Sequence, residues 1–426
     1  MDLPVTGSLP HELDGCYVRI GPNPVQRPDP ARYQPFTGDG MVHGVRLRSG
    51  RADWYRNRWI RSARVSRMLG EPQVPGPRRG PSDNANVNVI RHGGRVLALG
   101  EAGTVPMEIG TGLRTLARAD FDGTLPRGFT SHPECDPVTG ELFAAAYYHE
   151  PPYVQYLIVD AAGRVRRAEP ISVKNTPMMH ALSLTERYVV LYDLPVTFNP
   201  AAAAAGWRFP YTWDPDHGAR IGVLPREAGD ADVRWLDVGP CYVFHPLNAY
   251  ELGDKIIIEV VRHERVFDRD LFRPAESVPA LWRWTVDRAS WTVREEQLDD
   301  IAEEFPRVDD RCKGSPHRYG YAVQLRRSEG PAFAGPSLVK HDMALCRTEV
   351  RELGPGWEAG EAVFVPRAPQ CAEGDGWLLT FAYDPAADMS RLIVLRADDF
   401  TGPPQAVVHL PVRVPHGFHA SWLPAG

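Results

Sequence analysis

Short runs of β-branched and aromatic residues, separated by turns and with no helices alternating between them, set the first limit on this fold. Eight such runs lie at residues 95–99 (RVLAL), 141–148 (ELFAAAYY), 156–159, 187–194 (RYVVLYDL), 255–261 (KIIIEVV), 319–325, 376–383 (GWLLTFAY) and 391–396 (RLIVLR). Each spans four to eight residues, a length and composition that favour strands over helices. Turn signals stand between them: GG before Arg95, DPVTG before Glu141, GD before Lys255 and GDG before Trp377. This pattern predicts an all-β chain, as a sandwich, barrel or propeller. No exact WD40 or kelch repeat is visible, so any blades have diverged.

A chain of 426 residues is long for one ordinary core, but barrels and propellers exceed that norm. No shift in composition marks a linker, so residues 1–426 are expected to form a single domain. The 38 Gly and 41 Pro suit many short strands joined by turns. Hydrophobic residues at 43% can build a large interior. A net charge of −6 offers no basic footprint for nucleic acid.

The six cysteines, at 16, 135, 241, 312, 346 and 371, include no CxxC pair, which argues against a thiolate zinc site. The N-terminal stretch carries an acid at position 2 and no apolar core of a secretion signal. No apolar run approaches the roughly 18–20 residues of a membrane span. The expectation is a cytoplasmic protein with reduced thiols. Two Pro-rich segments, at 72–82 and 195–215, read as surface excursions. The second holds five alanines, at 201–205, then Trp207, Phe209, Tyr211 and Trp213. It suits a cap on a pocket, an interfacial patch or an ordinary covered insertion.

Among 14 histidines, four sit in dense local contexts: His132 in FTSHPECDPVTGELF, His180 in TPMMHALSLTERYVV, His245 in CYVFHPLNAYE and His419 in VPHGFHASWLP. They are separated by 48, 65 and 174 residues, which excludes a local motif such as HExxH. One ligand from each of several blades could still meet on a propeller axis. Imidazole suits iron, zinc, copper and nickel. A single histidine in isolation is more often a core or surface residue.

The sequence resembles the carotenoid cleavage oxygenase family, which also holds retinoid isomerohydrolase and stilbene-cleaving dioxygenases. The likeness runs in order through LPHELDGCYVRIGPNP, FTGDGMVHGVRL, YRNRWIRS, NANVNVIRHGGRVLALGE, SHPECDPVTGEL, MMHALSLTERYVVLYDLPV, FHPLNAYE, EEFPRVDDR, EAVFVPR, DGWLLTFAYD and GFHASWLP. The resemblance implies a seven-bladed β-propeller with a helical and loop dome over the iron-bearing face. It implies one Fe(2+) per chain, held by His132, His180, His245 and His419, with O2 as co-substrate. Three glutamates would orient these rings: Glu101 holding His180, Glu304 holding His245 and Glu361 holding His419, with none for His132. Glu303 next door is expected to be solvated. Phe36, in FTGDGMVHG, matches an aromatic that lines the substrate cleft, or else packs in the core. His43 and His416 read as structural.

The implied reaction is oxidative cleavage of one C=C bond of an apolar polyene or stilbene into two carbonyl fragments. No nucleophile or general acid is needed beyond the iron centre. Stilbene cleavers of the family carry a lysine immediately before the first of the three glutamates, but here Gly100 precedes Glu101. That departure favours a carotenoid or apocarotenoid, unless Lys174 or Lys340 reaches the site from elsewhere. Val87 matches a position near the iron that is often Thr in relatives. A carotenoid substrate implies peripheral membrane contact, for which residues 197–213 are the candidate rim. Rival readings are an isomerohydrolase, a propeller binding protein without chemistry, and a zinc hydrolase. Four histidines would close a tetrahedral zinc site and leave no open position, which ranks the last reading lowest.

Overall fold

The computed structural model describes residues 2–29, 33–80, 82–270, 276–326 and 334–425. Its strands form seven antiparallel sheets arranged as the blades of a propeller, with one further two-stranded hairpin. The turn-bounded runs form strands close to the expected limits. Arg95–Leu99 coincides with its run, while Leu142–Tyr147, Tyr188–Asp193, Lys255–His263 and Gly376–Asp384 differ by one or two residues at an end.

The ring is closed twice. Ala420–Pro424, from the C-terminal end, pairs with Gly15–Pro22 and becomes the edge strand of the first blade. Val5–Gly7, from the N-terminal end, pairs with Ala406–His409 in the seventh blade. Each terminal segment thus completes a sheet formed mainly by the other end of the chain, which ties the first and seventh blades together.

Apolar side chains on facing sheets hold neighbouring blades together. Leu97 and Leu99 of the second blade pack with Leu142, Ala144 and Ala146 of the third. Tyr17 and Val45 of the first blade pack with Leu379, Phe381 and Leu392 of the seventh. Both faces of a blade are therefore buried, which explains continuous runs such as KIIIEVV in place of strict alternation. None of the six cysteines is in a disulfide.

One edge strand of each blade lies on the axial side, where Ala420–Pro424 contacts Asn88–His92, Leu182–Leu184 contacts Glu134–Cys135 and Tyr242–Leu252, and Tyr242–Leu252 contacts Glu303–Arg307. In blade order these are Ala420–Pro424, Asn88–His92, Glu134–Cys135, Leu182–Leu184, Tyr242–Leu252, Glu303–Arg307, and in the seventh blade the segment carrying Glu358–Ala359 and Val363–Pro366. Over one end of the axis lie the short helix Ala63–Met68 and the 195–215 excursion. The excursion folds as a hairpin, Val196–Phe198 with Tyr211–Trp213, enclosing the helix Pro200–Ala204. Asn199 caps that helix by accepting from the Ala202 N–H. No helix among the described residues is long and apolar enough to cross a membrane.

Candidate metal centre

Residues at or near the start of the axial strands converge on one point. His419 immediately precedes its strand, while His132 and His180 each stand two residues before theirs. His245 lies within Tyr242–Leu252, where the pairing slips between Val243 and Pro246. Such a slip locally re-aims a side chain. The first, third, fourth and fifth blades thus each contribute an imidazole. The second contributes Val87 beside its axial strand, the sixth Glu304 and the seventh Glu361.

The ring centroids of His132 lie 4.2, 4.5 and 5.1 Å from those of His180, His419 and His245. His132, His245 and His419 each offer a ligating atom within 4.8 Å of the others, and His132, His180 and Glu101 form an overlapping set of the same tightness.

Three rings are held from behind by carboxylates. His245 Nδ1 donates to Glu304 Oε2 at 2.6 Å, and His419 Nδ1 donates to Glu361 Oε1 at 3.0 Å. His180 Nδ1 lies 3.3 Å from Glu101 Oε2. Among the described residues no carboxylate is bonded to His132, whose Nε2 is buried without a hydrogen-bond partner. A proton kept on Nδ1 leaves a lone pair on Nε2. The Nε2 atoms of His180 and His245 face each other at 3.4 Å. With both protons held on Nδ1, two lone pairs at that separation would repel, and a cation between the rings would remove the repulsion.

Burial, reinforced by the neighbouring histidines, holds His132 well below the usual imidazole range. Burial likewise pushes His245 down to about 4, although Glu304 pulls the other way. Both shifts favour the neutral ring, the form that binds a metal. Burial alone would raise Glu304 and Glu361, but their imidazole partners outweigh it and hold both carboxyls below their ordinary range. Imidazoles backed by carboxylates form a donor set that fits a divalent transition metal.

The glutamates are themselves tied down. The Ala420 N–H donates to Glu361 Oε2 at 2.5 Å, and Arg307 lies 3.5 Å from Oε1. Tyr147 donates its hydroxyl to Glu101 Oε2 at 2.6 Å. His263 Nε2 donates to Glu304 Oε1 at 2.9 Å. The sequence reasoning missed Tyr147 and His263. Each ends or nearly ends an ordinary apolar strand, with no local signal to separate it from a packed residue. The backbone is left-handed at Ala102 and Phe305, the residues that follow Glu101 and Glu304. For a bulky side chain this conformation costs about 1–2 kcal/mol, and strain of this kind clusters at functional sites. Phe305 stacks on His245 with centroids 5.4 Å apart.

Glu303 corrects an expectation. It is fully buried and bonds His341 Nε2 at 2.9 and 3.1 Å. Adjacent residues of a strand point to opposite faces, but the face opposite the axis lies between blades and is closed to solvent. His43 bonds Tyr55 at 2.8 Å, and His416 lies 3.1 Å from Glu358. Neither lines the cavity described next.

A cavity of about 530 Å³ opens over His180, His245 and His419, beneath the short helix and the 195–215 excursion. Its apolar walls include Phe36, Phe209, Phe244, Phe267, Phe305 and Phe418. Phe36 stands among these rings, stacked on Phe209 and Phe418 with centroids 5.5 Å away in each case. Of the readings open for the excursion, the cap is the one its position shows. Val87 lines the wall, and its carbonyl accepts the His419 N–H at 3.2 Å. Lys174 Nζ bonds the carbonyls of Asp216 and His217, and Lys340 Nζ bonds that of Ala397. No lysine lines the cavity among the described residues. A Cβ added at Gly100 would stand 2.3 Å from the Asn84 carbonyl oxygen, so the backbone of Asn84 occupies the space into which a side chain would emerge.

A family model described as "Retinal pigment epithelial membrane protein" matches residues 1–424. A carotenoid cleavage oxygenase of Mycobacterium tuberculosis is 44% identical, over 99% of this chain and 94% of its own. The crystal structure of a Pseudomonas brassicacearum lignostilbene dioxygenase is similar with a TM-score of 0.90 at 27% identity, covering 100% of this chain and 95% of its own. A cobalt-substituted apocarotenoid oxygenase of Synechocystis is similar with a TM-score of 0.86 at 27% identity, covering 100% of this chain and 96% of its own.

Proposed function

We propose, for a chain that belongs to the carotenoid cleavage oxygenase family and is an oxygenase, that it holds one iron(II) ion on His132, His180, His245 and His419 and cleaves a carotenoid or apocarotenoid C=C bond with dioxygen. The observation that carries this reading is the convergence of four imidazoles under an aromatic cavity, with the Nε2 atoms of His180 and His245 facing at 3.4 Å. Iron(II), when bound, supplies the binding and activation of dioxygen. The residues supply the rest. Glu101, Glu304 and Glu361 fix ring direction. Imidazoles, which bind a metal in their neutral form, would leave the ion its full charge. The phenylalanine walls hold an extended apolar substrate against the centre and exclude water.

The chemistry balances without a side-chain acid or base. The double bond breaks, each of its carbons takes one oxygen atom, and two carbonyl products leave with no proton gained or lost. An isomerohydrolase would consume no oxygen, and uptake of dioxygen with substrate separates the two.

Gly100 supports a polyene over a 4-hydroxystilbene, because the chain has no lysine there to engage a phenol and no room to place one. The likeness to a lignostilbene dioxygenase favours a stilbene as the second reading. Aerobic incubation of the iron-loaded protein with β-carotene, an apocarotenal and resveratrol, with products read by mass, decides between them. Aldehydes from the polyenes alone are expected. Cleavage of resveratrol alone would overturn the substrate assignment. The rim at 197–213, with the exposed Trp207, is proposed to touch a membrane peripherally from the cytoplasmic side. Co-sedimentation with lipid vesicles, weakened by Trp207→Ser, is the expected result, and equal sedimentation of the two proteins would contradict it.

A further inference from the structure

Glu304 differs from the other two glutamates in what holds it. Its Oε2 accepts from His245 Nδ1 and from the Phe305 N–H, both at 2.6 Å, while its Oε1 accepts from His263 Nε2 at 2.9 Å. His263 ends the strand Lys255–His263, opposite Tyr242 in the strand that carries His245. It is 3% exposed and packs edge-on against Phe244 with centroids 5.2 Å apart. Its Nδ1 is buried and has no hydrogen-bond partner.

That orphaned nitrogen carries two consequences. A proton on Nδ1 would have no acceptor, so the ring's proton belongs on Nε2, where it points into the carboxylate. A buried polar atom left unpaired also costs about 1–3 kcal/mol. An apolar residue of similar size would fill the same space without that cost, so the packing alone gives no reason for a histidine here.

We propose that His263 is a positioning residue for the metal centre, holding the second oxygen of Glu304 so that the first fixes the ring of His245. The inference rests on the four-histidine reading of the site. Two-point attachment stops the carboxylate from rotating about its last bond, and a rotated carboxylate would lose the Nδ1 proton of His245. The hydrogen bond from His263 also leaves Glu304 its negative charge, which raises the basicity of His245 Nε2 toward a metal.

Two variants test this with Co(II) as the probe. His263→Leu removes the N–H, while His263→Gln keeps a side-chain N–H of similar reach. Loss of a group behind a metal ligand typically weakens binding about 10–100-fold, and the lower end, about 10-fold, is expected for His263→Leu. Its cobalt absorption bands should shift as well. His263→Gln should restore both affinity and spectrum toward the original protein. Unaltered affinity and spectrum in His263→Leu would overturn the proposal. So would equal losses in both variants. Should His263→Leu not fold, the imidazole 15N shifts of the original protein decide the matter: a proton found on Nδ1 of His263 would contradict the assignment. Failure of the original protein to bind Co(II) would overturn the four-histidine reading itself, an outcome distinct from any difference between variants.

Discussion

Glu361 stands directly behind His419, one of the four proposed metal ligands. One oxygen accepts from His419 Nδ1 and the other from the Ala420 N–H, so the carboxylate fixes the His419 ring and the strand that follows it together. Glu361→Gln replaces one acceptor oxygen by a donor and removes the charge. The expected result is a roughly 10–100-fold loss of metal affinity, read by titration with Co(II). Unchanged affinity would remove Glu361 from the site. Gly100→Lys tests the substrate argument at the same scale. The Asn84 carbonyl blocks the new side chain, so the variant should gain no stilbene cleavage and should lose polyene cleavage. Gain of resveratrol cleavage would refute it. Much at this scale was legible only as matches to family motifs. Nothing in KIIIEVVRH marks His263, because its partner Glu304 lies 41 residues away. Glu303 misled because alternation along a strand assigns a face, and says nothing of what covers that face.

The DPVTG turn after His132 shows how a local element is tied to its neighbour. Asp136 accepts from the N–H groups of Val138 and Thr139, and pairs with Arg226 of the fourth blade at 2.5 Å. Burial alone would raise its carboxyl, but the turn amides and Arg226 outweigh burial and hold it below its usual range. A depressed carboxylate contributes stability above the ordinary aspartate range, near 4, and loses it as the pH falls through the lower folded value. Asp136→Asn is expected to lose about 2 kcal/mol near pH 7, a charged hydrogen bond's worth, with the gap from the original protein narrowing toward pH 3. Urea unfolding at the two pH values measures it, and a gap constant with pH would contradict the sign. The strands themselves were legible, because β-branched runs between glycine turns have few alternatives. The axial slip at His245 was not, since a register irregularity depends on the partner strand.

At the scale of the whole molecule, the two closures make different demands. Removing residues 2–7 strips one outer strand from the seventh blade and leaves the axis intact. That protein should fold, bind metal and melt a few degrees lower. Removing residues 420–425 takes the axial strand of the first blade and the amide that holds Glu361. That protein should fail to bind Co(II) and should elute as unfolded or aggregated material on gel filtration. Equal behaviour of the two truncations would contradict this account of closure. An all-β chain was readable from the runs and turns, but a sandwich, barrel or propeller satisfies them equally. The seven-fold arrangement came from the resemblance, because diverged blades share no repeated motif. The coming together of histidines as far apart in sequence as His132 and His419 is likewise a property of the closed ring.

The central claim is that four imidazoles share one iron. X-ray absorption at the iron edge, on protein loaded anaerobically with Fe(II), tests it most directly. The expected spectrum shows four imidazole scatterers at one iron per chain in the original protein. His245→Ala should remain folded, with little iron retained and one imidazole fewer around what remains. Full occupancy with four imidazoles in His245→Ala, or carboxylate oxygens replacing imidazoles in the original protein, would contradict it.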